Sequence, residues 1–152
     1  MRSLAVLCLL ACCLACGGAG RSFTAPAGTT VQYAVTNQVE TRTCESPVTP
    51  QATCRITLSA RVLLGELEGR PWRIDSVRSV VRDQTSGQDL RALPATLTAE
   101  DVRLVAGTNV LPAHGSLTIP VQVQFLVSQK PYYVDGPHEL LVTLVASVGG
   151  TS

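Results

Sequence analysis

Charge is scarce in this sequence. Asp, Glu, Lys and Arg make up 15 % of its 152 residues, and the formal net charge is +1. Arg2 is the single charge among the first 15 residues, so 12 − 1 = 11 basic side chains remain against 11 acidic ones. A neutral chain of this kind has no electrostatic case for nucleic acid or an anionic membrane surface, since both call for a basic face. Lysine is confined to Lys130, and the arginine bias reads as a compositional habit rather than a phosphate-binding device. Histidine is confined to His114 and His138. With no clustered acid–base set, no phosphate-binding glycine loop and no Gly-x-Ser-x-Gly elbow, nothing in the chain points to an enzyme or to a cofactor. There is no internal repeat. The longest apolar stretch, residues 3–15, falls short of the roughly 20 residues a membrane span needs.

What is present begins with an address. Met1-Arg2 is a short positive start, the stretch up to Ala15 is almost wholly apolar, and Gly17 and Gly18 follow. A charged beginning, a brief apolar segment and small residues after it describe a secretory signal peptide over residues 1–15. Four cysteines lie in this region. Leu14-Ala15-Cys16-Gly17 resembles the lipobox of bacterial lipoproteins, in which a small residue precedes a cysteine that is lipidated and becomes the new N-terminus. Leu9-Leu10-Ala11-Cys12 resembles it too, so Cys16 is the expected acceptor and Cys12 the alternative. The resemblance implies export and a lipid anchor in a bacterial membrane, the outer one where it exists because Gly17 follows the cysteine. Without lipidation the protein would be periplasmic or extracellular. Residues 17–28, rich in Gly, Ala, Ser and Pro, read with Cys16 as a flexible tether.

The remainder, residues 29–148, alternates. Cys54, Ile56, Leu58, Ala60 and Val62 share one face, with Arg55, Thr57, Ser59 and Arg61 on the other, the period of a half-buried strand. Leu117, Ile119, Val121, Val123 and Phe125 repeat the pattern, and Pro120 on their outward side predicts an edge or a bulge. Val31, Tyr33, Val35 and Val39 continue it, with Asn37 as an interruption. Leu140, Val142, Leu144 and Ala146 form a last strand. The phase slips between Ile74 and Val77, which predicts a bulge. Weaker strands are expected near residues 89–93 and 102–106, and one helical turn within residues 96–103. Turn residues separate these runs. At 45 % apolar residues the chain carries enough for one core and one domain. The expected fold is all-β, a single antiparallel sandwich of about seven strands. It resembles the immunoglobulin and fibronectin type III sandwiches in architecture. It lacks the antibody-type framework, because Cys44 and Cys54 are close in sequence and Trp72 follows both. Trp72 is expected in the core.

Cys44 and Cys54 bracket a loop with two prolines and should form a disulfide in an oxidising compartment. With His114 and His138 they match no zinc spacing, and no metal site is expected. Both histidines read as surface turn residues. Asp83 to Asp89 places oxygen ligands at calcium-like spacing, but turn chemistry uses the same residues. Glu66 and Glu68 read as surface charges in a turn. Tyr132 and Tyr133, between two prolines, are the candidate partner contact, since Tyr offers large contact area at low entropy cost. The expectation is a non-catalytic binding or structural module of the cell envelope, touching the membrane through its lipid and another envelope protein through this loop or by strand addition at an edge. The alternative is a small-ligand or glycan binder that stacks its ligand on Trp72 and the tyrosines.

Overall fold

The computed structural model describes residues 21–24, 30–44, 53–128 and 137–148. Cys12, Cys16, the signal segment, Tyr132 and Tyr133 lie outside these residues. The described elements are β1 (Arg21–Thr24), β2 (Thr30–Cys44), β3 (Thr53–Glu66), β4 (Trp72–Asp83), β5 (Asp89–Leu90), β6 (Thr96–Thr98), α1 (Ala99–Ala106), β7 (Val110–Leu111), β8 (Ser116–Ser128) and β9 (His138–Val148). They form an antiparallel two-sheet β-sandwich. Among them no helix is long and apolar enough to cross a membrane.

The first sheet has the order β1-β2-β3-β8. Strand β3 is paired along its length with β2 on one edge and β8 on the other. Its alternate residues Cys54, Ile56, Leu58, Ala60, Val62 and Leu64 are buried, as are Leu117, Ile119, Val121, Val123 and Phe125 beside them on β8. The second sheet is built on β4. Strand β9 runs along the whole of one edge of β4, so β5, β6 and β7 share the other edge in series. Trp72, Ile74, Val77 and Val81 project from β4 into the same core. The phase slip between Ile74 and Val77 is a bulge, with Ile74 opposite Ala146 and Ser76 opposite Val145. Asp75 is the extra residue.

Of the edge or bulge that a mid-strand proline indicates, Pro120 occupies an edge. Gln124 exchanges both backbone bonds with Leu93, each at 2.8 Å, so its N–H and C=O point away from β3. In an antiparallel ladder alternate residues point the same way. The unbroken β3–β8 register therefore puts Pro120 on the outer edge, where its missing N–H costs no ladder bond.

Several expectations need correction. Arg21–Thr24, inside the segment read as a tether, pairs with β2 in the register Arg21 opposite Tyr33 to Thr24 opposite Thr30. Backbone pairing at an open strand edge needs no strongly apolar sequence. Val39 does not continue the inward row of β2. One extra residue sits between Thr36 and Val39, with Asn37 in the left-handed region at φ 52°. The bulge inverts the phase. Val39 turns outward at 58 % exposure, and Glu40 and Arg42 come opposite Leu58 and Ile56. The described residues hold nine strands beside the about seven expected: β1 and the short β6 and β7 are additional, and residues 102–106 are not a strand.

Residues 102–106 are not a weak strand but the second half of α1. Thr98 caps that helix reciprocally: Asp101 N donates to Thr98 Oγ1 and Thr98 N to Asp101 Oδ2. Gly107 ends it at φ 79°, a conformation glycine takes without strain. This local hydrogen bonding outweighs the β-forming valines.

Two predictions follow from the packing. Leu58→Ala, which empties a fully buried site, should cost about 2–5 kcal/mol in urea unfolding. Leu63→Ala on the opposite face of β3 should stay within about 0.5 kcal/mol; equal losses would contradict the inward–outward assignment. Cys44 and Cys54 are cross-strand partners and disulfide-bonded, with a sequence separation of 10. Replacing both by Ser should cost about 3 kcal/mol in the chain-entropy account of cross-links, read as a reductant-sensitive unfolding midpoint that the variant lacks.

Candidate functional site

The alternation that buries one row of each strand displays the other. Directly opposite residues of an antiparallel pair share a face, so the register defines the outer surface of the first sheet. Across β2, β3 and β8 its rows read Thr43, Arg55 and Leu126, then Thr41, Thr57 and Gln124, then Val39, Ser59 and Gln122. Arg61 and Pro120 follow, then Leu63 and Thr118. None of these residues is acidic.

Two recesses interrupt this surface where β8 meets the segment leading to α1. The first, of about 680 Å³, has Ser59, Arg61, Pro120 and Gln122 in the sheet, Asn37 and Val39 from the β2 bulge, and Pro94, Leu97 and Val105 opposite. The second, of about 570 Å³, is lined by Arg55, Gln124 and Leu126 on one side and Leu90, Arg91 and Leu93 on the other. The Leu93–Gln124 bridge forms the ridge between them. Leu126 and Leu93 are 63 % and 60 % exposed, an apolar rim around the cations.

Charge is segregated. Arg73 pairs with Asp75, Arg82 with Asp89, Arg103 with Glu100 and Arg42 with Glu40. Asp89 lies below the ordinary carboxylate value and Arg82 above its own, first of all through their mutual hydrogen bond. Among the described residues Arg55, Arg61 and Arg91 have no carboxylate partner, and neither have Arg70 and Arg78, but the first three line the two recesses, where no carboxylate stands. A guanidinium offers a rigid fork of donors that matches a carboxylate in a bidentate pair. This face therefore presents cations, hydroxyls, amides and apolar rims together, a set whose chemistry complements an anion.

The residues singled out in the sequence fall elsewhere. Trp72 is buried, so it offers no stacking platform to a ligand. His114 is an exposed turn residue at φ 50°, as expected. His138 is not: it is buried, its ring 4.8 Å from that of Phe125, with Nδ1 2.9 Å from Glu40 Oε2. The inversion of β2 brings Glu40 there. Gln38 Nε2 donates to the His138 carbonyl at 2.7 Å, and this group lies at the disulfide end of the sandwich. Asp83 is also buried. Its Oδ1 accepts from Thr85 N and Ser86 N, which is turn chemistry.

Glu66, read as a surface charge, is buried at the opposite end. Its carboxylate accepts from Glu68 N, Gly69 N and His114 N at 2.8, 2.9 and 2.8 Å, tying the β3–β4 turn to the turn before β8. Gly69 stands at φ 81°, and a Cβ there would meet His114 Nε2 at 2.7 Å. Burial pushes the Glu66 carboxyl up and is the largest single influence. The N–H groups of His114, Glu68, Arg70 and Gly69 together outweigh it and hold the group below 4.5. A depressed carboxyl stabilises the fold above its unfolded value and loses that contribution as pH falls through its folded value. Thermal unfolding of wild type and Glu66→Gln should show wild type the more stable at neutral pH, with the gap closing in acid. A gap unchanged with pH would refute the charge-based tie.

No protein family, no curated protein and no solved structure matches this chain.

Proposed function

We propose that the chain is an exported, lipid-anchored, non-catalytic binding module of a bacterial cell envelope, its immunoglobulin-like sandwich held to the membrane by lipid on Cys16 or, alternatively, Cys12. The observation that carries the reading is the recessed outer face of the first sheet, where Arg55, Arg61 and Arg91 stand without counter-charges between apolar rims. Leaving cations unpaired beside exposed leucines gains the folded chain nothing, whereas a partner gains both charge and apolar contact there. The disulfide supports an oxidising compartment, and the signal-like segment with its lipobox supports the anchor. Burial of Trp72 weighs against the stacking form of ligand binding.

The test is made in the source bacterium. A photo-crosslinking residue replaces Val105 in the recess wall or, as control, Thr143 on the outer face of β9, and cells are fed an alkyne analogue of palmitate. A discrete adduct should form from position 105 alone and vanish on Arg61→Glu. The alkyne should label the chain and be lost with Cys16→Ser (or with Cys12→Ser). A chain that yields no Arg61-dependent adduct would be no module of this kind, and one that takes up no alkyne would not be lipid-anchored.

A further inference from the structure

The ligand class can be read from the same face. Resting on the binding-module reading, we infer that the outer face of the first sheet docks an extended acidic polypeptide strand, its carboxylates met by Arg61 at one end and by Arg55 with Arg91 at the other.

Charge complementarity sets the sign. The three guanidiniums have no carboxylate partner among the described residues, and unlike Arg70 and Arg78, which also lack one, they gather in recesses that no carboxylate lines. Spacing sets the shape. Arg55 and Arg61 lie on one face of one strand, 61 − 55 = 6 residues apart, or about 20 Å at the rise of a β-strand. An extended peptide has the same rise, so acidic residues six apart on one of its faces meet both arginines in register. Between the arginines stand Thr57 and Ser59 on β3 and Gln122 and Gln124 on β8. Their hydroxyl and amide groups suit a peptide backbone. Leu93, beside Gln124, offers apolar surface to the side chains between the two acids, Leu126, opposite Arg55, does so at one end, and Val105 lines the recess that holds Arg61.

Other anionic occupants fit less well. An acidic polysaccharide would find no exposed aromatic ring among the described lining residues, since Phe125, which reaches the second recess, is buried against His138. A bilayer surface is broad, whereas these cations lie in two separate concavities divided by the Leu93–Gln124 ridge.

The experiment uses the purified full-length chain in neutral detergent. The probe is a fluorescent peptide of alternating leucine and threonine with a glutamate near each end, six residues apart on the leucine face. Controls are the same peptide with lysines for the glutamates, polygalacturonate, and micelles doped with phosphatidylglycerol. The acidic peptide should bind about tenfold or more tighter than the lysine peptide and weaken as salt rises. Arg55→Glu/Arg61→Glu should abolish that preference. Arg78→Glu, an exposed reversal on β4, should leave it intact. Unchanged Trp72 emission in each variant shows that the core is kept.

If polygalacturonate or the anionic micelles bind in an Arg55- and Arg61-dependent way and the peptide does not, the strand occupant is overturned. If the peptide binds equally well to the double variant, the face itself is overturned. Either failure is distinct from failure of the module reading, which is the absence of an Arg61-dependent adduct in cells.

Discussion

The inward row of β3 is the constraint on which the rest depends. Cys54 to Leu64 on alternate residues must leave water together, and only a strand paired on both edges places them in one plane. Once that row is buried, the opposite row is exposed. Arg55 and Arg61 are therefore fixed on the outside, six residues apart, by the same alternation that builds the core. The display of the candidate face is a consequence of burial rather than a separate device.

Two bulges adapt this plan. In β4 the extra Asp75 lets Trp72 and Ile74 face the core together with Val77 and Val81. In β2 the left-handed Asn37 inverts the strand, so that Glu40 enters the sandwich end beside buried His138 and Val39 joins the rim of the first recess. A single inserted residue thus determines both the polar cluster at the disulfide end and part of the groove. The remaining edge of the first sheet is guarded by Pro120 and by the Leu93 bridge, which also divides the groove in two.

The strong period-two signals of β3 and β8, the phase slip in β4, the edge position of Pro120 and the Cys44–Cys54 bond were legible in the residues, because each is a local pattern. The candidate site was not. Arg55 and Arg61 stood in the outward row, but so do unremarkable solvated charges in any half-buried strand. What sets them apart is that they share a recessed face whose lining holds no carboxylate, and the chain's small net charge of +1 does not reveal that. Arg91 and Val105 join them only because residues 89–98 leave β4, touch β8 at Gln124 and return. For a related reason the sequence marks His138 and Glu66 as surface residues: each has a partner far along the chain, Glu40 at 98 residues from His138 and His114 at 48 from Glu66, although Glu66 also holds the N–H groups of nearby Glu68 and Gly69.

By itself the sequence determined the class of the fold, most strand positions and the disulfide, since alternation, turn residues and cysteine spacing act over short distances. It also carries the signal and lipid-anchor reading, in its first 18 residues. Only the tertiary structure decided which charges are paired and which stand alone, because pairing depends on what packing brings within a few ångströms. It likewise decided that a chain of net charge +1 presents a basic, apolar-rimmed face among its described residues, for net charge is a sum over residues and a surface is their arrangement.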